Sequence, residues 1–182
     1  MTVKNILKLA AEMLSLGDVK KELQKTETVV NGDIERLIEC YNLVISELCE
    51  EYVSVKKTEQ IEATGGKFYF SSFAEIPTEI LQCYVNGVKT DFKTTPLYLV
   101  ADASEITVEY AYYPQKQDID GICPYKETEV SERVIALGIA REFSLFSGQI
   151  SEAEIFDERY QKAVSSLVVS KRSLRMKARG WY

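Results

Sequence analysis

The chain has 182 residues, 46% hydrophobic and 27% charged, enough for one substantial core or two small ones. It contains no histidine, which removes Ser-His-Asp and Cys-His catalysis, imidazole base chemistry and most zinc sites together. Net charge is −6, but unevenly spread: five of the 22 cations lie in 171–182 and all 28 acids precede them, so residues 1–170 carry −11.

An acidic body repels nucleic-acid phosphates, so nonspecific DNA binding by residues 1–170 is not expected. No apolar run approaches the ~20 residues of a membrane span. Met1-Thr2-Val3-Lys4-Asn5 leads into an amphipathic pattern rather than a secretory leader, which predicts a cytoplasm-like compartment. Cys40, Cys49, Cys83 and Cys123 form no C-x-x-C pair and are expected to be buried or half-buried thiols.

In chain order, the first helix is predicted over 3–16, with Ile6, Leu7, Leu9, Ala10, Met13 and Leu14 on one stripe and Gly17 as its stop. Residues 18–31 are polar and read as a linker or frayed extension. Gly32-Asp33 offers the next N-cap, and Ile34, Leu37, Ile38, Tyr41, Val44, Ile45, Leu48 and Tyr52 recur with helical spacing.

After Tyr52 the period switches to two. Three hairpins are predicted: around Gly65-Gly66, around Asn86-Gly87, and around Asp102-Ala103-Ser104. They make a compact antiparallel sandwich or barrel-like module. Residues 115–128 are irregular. A helix resumes near Glu129 through Val130, Val134, Leu137, Ile139, Ala140, Phe143 and Phe146. Gly138 in its middle invites a close helix contact, and Gly148 ends it. Ser151-Glu152-Ala153-Glu154 is a capping box for a last helix with Ile155, Phe156, Tyr160, Ala163, Val164 and Leu167 on its stripe.

The expected fold is α+β: a four-helix bundle-like body (1–52 and 129–170) with a small antiparallel β module (53–114) inserted between the second and third helices. A linker loop (115–128) returns the chain to the body, and an extended C-terminal arm (171–182) leaves it. The arm carries Lys171, Arg172, Leu174, Arg175, Lys177 and Arg179 and then Trp181-Tyr182. A cationic segment with two large aromatics is suited to docking on a partner chain, and these are the candidate partner-binding residues.

No phosphate-cradling G-x-x-x-x-G-K-[ST] or G-x-G-x-x-G run is present. Carboxylates cluster at Glu47, Glu50 and Glu51 and at Asp118 and Asp120. Such a cluster serves a carboxylate enzyme or a divalent ion only if it converges; the plainer reading is a solvated helix end and a polar loop. Tyr110, Tyr112 and Tyr113, with acidic neighbours, suit a core or protein interface better than a base-stacking platform. No catalytic residue, cofactor or metal is expected.

Several stretches together resemble a known family. They are Val108-Glu109-Tyr110-Ala111-Tyr112-Tyr113-Pro114 before an acidic loop, Ala136-Leu137-Gly138-Ile139-Ala140-Arg141-Glu142-Phe143, Tyr160-Gln161-Lys162-Ala163-Val164, and Ile76-Pro77-Thr78-Glu79-Ile80-Leu81 ahead of Asn86-Gly87. Over about residues 34–170 the chain resembles the head-to-tail adaptor (connector, or tail-tubular) proteins of tailed bacteriophages. The resemblance implies a structural virion protein of the neck, assembled in the host cytoplasm as a ring, dodecameric in the family. Its partners would be the portal and tail or neck proteins, with double-stranded DNA passing the lumen without specific binding. Alternatives are another neck ring component (a tail-completion or stopper protein), a non-viral cytoplasmic protein-binding module, or a carboxylate metal enzyme.

Overall fold

The computed structural model describes the backbone of residues 1–171 and the side chains of 1–167. Among the described residues there are five α-helices and seven strands in two antiparallel sheets. The chain divides into two compact units: Met1–Glu47 together with the chain from Lys116 onward, and Leu48–Gln115. The class is α+β, but the four-helix bundle-like body is overturned. Three helices, not two, precede the β strands.

In the helical unit, α1 (Val3–Met13) is capped by the Thr2 side chain, which accepts from Asn5 N–H at 3.4 Å. It stops at Met13, four residues before Gly17. Ser15 takes a left-handed conformation (φ 58°), with Leu16 N–H bonding Ala11 O at 2.9 Å and Ser15 N–H bonding Glu12 O at 3.2 Å. That is a Schellman closure with serine where glycine is usual. Gly17 instead opens α2 (Gly17–Gln24), most of which falls in 18–31, the segment expected to be a linker or a frayed helical extension. Two residues one turn apart, Val19 and Leu23, are buried and hold this short helix against α1. Its remaining surface is polar, and eight residues give periodicity little to work on.

The third helix, α3 (Gly32–Glu47), is capped by Asn31 rather than Asp33: the Asn31 side-chain oxygen accepts from Ile34 N–H at 3.0 Å. The fourth, α4 (Glu132–Phe146), runs through the centre of the unit and packs on α1, α3 and α5. Nine of its residues are buried, including the unbroken run from Val134 to Ala140, so no face of its middle is left for water. Gly138 is what lets α3 and α5 come so close. A Cβ there would lie 2.7 Å from Val44 Cγ1 and 3.0 Å from Tyr160 Cε2. Gly148 closes α4, as predicted, with Gln149 N–H on Ser144 O at 2.9 Å. The last helix, α5 (Ile150–Lys171), starts before the predicted capping box, so Ser151 lies within its first turn. Among its described side chains Ala153, Tyr160 and Val164 are buried, and Ile155, placed on the apolar stripe, is 52% exposed.

The segment between Lys116 and Ser131 has no helix or strand of its own but is tied down. Asn42 bonds Gln117 through both ends of its amide, at 3.0 and 2.8 Å. The start of the chain pairs with it through Val3 N–H to Gly121 O (3.0 Å) and Cys123 N–H to Met1 O (3.1 Å).

The second unit opens with a π-helical turn, Leu48–Tyr52, where continuous α-helix was expected. One sheet has the order β1-β7-β3-β4, from β1 (Val55–Glu62), β7 (Glu105–Tyr112), β3 (Pro77–Val85) and β4 (Val88–Lys89). The other is β2-β6-β5, from β2 (Phe68–Tyr69), β6 (Tyr98–Val100) and β5 (Lys93–Thr94). Only the Asn86-Gly87 hairpin forms as predicted, joining β3 to β4 with positive φ at both turn residues (51° and 77°), a type I′ turn. At Gly65-Gly66 a single Thr64–Lys67 bridge closes, while β1 pairs with β7 over its full length and β2 pairs with β6. The third hairpin is not a hairpin, since β6 and β7 belong to different sheets. Long-range pairing has taken these strands because both sheets share one core, built on Ile61, Phe68, Cys83, Leu99, Val108 and Tyr110.

Candidate interaction surfaces

The predicted partner-binding residues Arg172, Leu174, Arg175, Lys177, Arg179, Trp181 and Tyr182 lie outside the described residues. So does the side chain of Lys171, the last residue of α5.

The carboxylates singled out in the sequence have different surroundings. Glu47 is in the helical unit, bound to Arg141. Glu50 sits in the π-helical turn of the other unit, where it accepts a hydrogen bond from the Tyr113 hydroxyl. Asp118 and Asp120 are exposed in the loop after β7. Among the described residues no group of three His, Cys, Asp or Glu side chains is arranged to hold a metal ion. The four cysteines are free thiols; Cys40, Cys83 and Cys123 are buried and Cys49 is half-buried. Burial pushes the Cys40 thiol up to about 12, with Glu142 and Glu39 adding to the effect. Tyr110 is likewise held protonated, by burial and by donating to Glu59 at 2.7 Å. That bond, with Ala74 N–H on Glu59 at 3.1 Å, pins the segment after β2 to β1 and β7. Thiols and phenols kept neutral in this way are structural groups, not nucleophiles.

One charged cluster is deliberate in its geometry. Arg141, on α4, has only 12% of its side chain exposed. It is gripped by Glu47 of α3, by Glu142 at 2.7 Å and by Asp157 of α5 at 3.4 Å, with its guanidinium 4.6 Å above the Tyr160 ring. Burial opposes its charge, and the carboxylates around it more than offset that, so it stays cationic throughout the ordinary pH range. The cluster clamps three helices together beside the Gly138 contact.

The exposed features with functional character are apolar. On the helical unit, Leu145 (46%), Phe146 (56%) and Ile150 (55%) lie at the corner where α4 turns into α5. A groove of about 360 Å³ there has Leu145, Ile150 and Ala153 on its floor and Glu142, Glu154 and Asp157 on its rim. Beside it, Phe146 and the exposed Leu43 line a second cleft with Glu39 and Lys116. Phe146 was assigned to the core stripe three residues after Phe143. It is uncovered because α4 ends there, and the neighbouring pair Leu145-Phe146 at a helix end is the sequence signal that was available. On the β unit, Ile76 (78%) and Leu97 (70%) line another cleft with Tyr69 and Ile80.

The fold and these surfaces describe a two-unit α+β protein with an exposed apolar patch on each unit and a cationic aromatic segment outside the described residues. No family model matches the chain, and no curated protein matches its sequence.

Proposed function

We propose that the protein is a structural subunit of a tailed-bacteriophage neck, an adaptor that assembles as a ring below the portal and provides a platform for tail proteins. The observation that carries this reading is the pair of exposed apolar patches, Leu145-Phe146-Ile150 on one unit and Ile76-Leu97 on the other. A linking subunit needs at least two separate surfaces, one for each neighbour, and patches of this kind mark protein contacts. The charge pattern agrees: residues 1–170 carry −11, so a channel built from them lets DNA slide with little adhesion.

The protein then works by binding, without turnover. The resemblance to adaptor proteins supplies the identity of the partners. The scattered carboxylates and neutral thiols favour it over the carboxylate-enzyme alternative. The test is electron microscopy of the purified chain mixed with the portal protein encoded in the same genome. A ring of this chain seated on the portal supports the reading; a monomer that ignores the portal refutes it.

A further inference from the structure

We propose that the groove at the α4–α5 corner is the receptor for segment 171–182 of a second copy of this chain. The proposal rests on the reading of the protein as a self-assembling ring subunit, and names the contact that joins neighbours.

Chemistry matches the two surfaces. The groove has an uncovered apolar floor, Leu145 and Ile150, and an acidic rim, Glu142, Glu154 and Asp157. Arg141 also lines the groove, where Glu142 and Asp157 already pair with it, so the surplus negative charge rests on Glu154 and on Glu47, which binds Arg141 too. Segment 171–182 has five cations and no acid, followed by Trp181-Tyr182. Cations meet the rim, and an aromatic side chain fills the floor. At about 360 Å³ the groove falls at the small end of ligand clefts, which run from roughly 300 to 1,000 Å³, and suits one or two such side chains. The cleft on another side of α5 makes the opposite offer: Arg133 and Arg159 flank it against a single carboxylate, Glu152. Charge therefore favours the α4–α5 groove over this cleft, although the cleft has the larger apolar lining, with Met13, Leu14, Leu137, Ile155 and Phe156.

Geometry favours a second copy. The groove is at the first turns of α5 and the segment begins at its last residue. Lys171 is 14 residues beyond Asp157 and 21 beyond Ile150, or about 21–32 Å along the helix axis at 1.5 Å per residue. Trp181 lies ten residues further on, at most about 36 Å of fully extended chain. Docking on its own groove would require a reversal followed by roughly 60–90% of full extension. A neighbour's groove imposes neither. A segment and a receptor at different places on one chain make a head-to-tail contact, the kind that generates rings when the rotation closes.

Trp181 is the sole tryptophan, so emission from the full-length chain reports its surroundings directly. Docking predicts a blue shift that grows with protein concentration, in step with the sedimentation coefficient. Leu145→Glu abolishes both changes, and the exposed Glu154→Lys weakens them by about 2–5-fold, as loss of a partly exposed charge pair does. Circular dichroism melts of both variants should match the parent. Mixing Leu145→Glu, whose segment is intact, with Trp181→Phe, whose groove is intact, restores the blue shift. A shift that is independent of concentration means docking within one chain and overturns the proposal. So does no shift up to the solubility limit. If rings still form on the portal while Trp181 emission stays solvent-like and Leu145→Glu assembles normally, the docking fails and the adaptor reading survives. If neither assembly nor shift occurs, both fail.

Discussion

Gly138 and Val44 meet so closely that a Cβ on Gly138 would sit 2.7 Å from Val44 Cγ1. Gly138→Ala improves helix propensity by about 1 kcal/mol but forces a methyl into a full space, an overpacking cost of roughly 1–3 kcal/mol. The expected net loss is about 0–2 kcal/mol, measured as a drop in urea midpoint. Val44→Ala in the same chain should recover part of it, giving a non-additive double-mutant cycle.

Arg141 is the second point where the three helices are held. Arg141→Ala leaves Glu47 and Glu142 near each other, both about 21% exposed and without their cation, at a cost of about 2–4 kcal/mol. Arg141→Lys should restore little of this, because one ammonium cannot reproduce the forked contacts or the stacking on Tyr160. Chemical denaturation of both variants checks the order parent, lysine, alanine.

The two helix contacts just described were half legible. Helical spacing from Ile34 to Leu48 and a glycine inside an apolar run pointed to close packing. The Arg141 cluster was invisible, because it joins residues 94 and 16 positions apart. The β unit failed for the same reason: the alternation of β1 and β7 was readable, but their pairing across some fifty residues competes with every local hairpin and wins on core contacts. Asn86-Gly87 succeeded because its turn chemistry is self-contained. α2 was left open between a linker and a frayed helical extension because two buried residues, Val19 and Leu23, do not make a period. The groove was missed because Leu145 and Phe146 count as apolar in any stripe, and only the end of α4 leaves them bare.

Alkali should unfold the protein early. Burial raises the Cys40 thiol from 9.0 to about 12 and raises the Tyr41 phenol, which is further pushed up by the adjacent Cys123. A raised acid stays protonated in the fold while the unfolded chain ionises. Its contribution is therefore complete below its ordinary pKa and lost as pH climbs towards the folded value. Urea midpoints should be flat up to about pH 8.5 and fall beyond it, with a shallower fall for Cys40→Ala. In the native state a thiol reagent should modify Cys49 first, and all four cysteines in denaturant.

The apolar patches should separate stability from assembly. Phe146→Asp on the helical unit and Ile76→Asp on the β unit replace side chains that are 56% and 78% exposed. Each should change stability by within about 0.5 kcal/mol, as surface substitutions do. Ile76→Asp should also remove a portal or tail partner in co-sedimentation, and Phe146→Asp, beside the groove that receives the next copy's segment, should weaken association between copies. Loss of the same partner by both variants would mean that the patches do not serve separate neighbours.

The most direct measurement is cryo-electron microscopy of the full chain incubated with its cognate portal. The account predicts a closed ring of copies on one end of the portal, with density for the 171–182 segment of each copy on the α4–α5 corner of the next. A chain that stays monomeric beside a free portal, at concentrations where both are soluble, would contradict it.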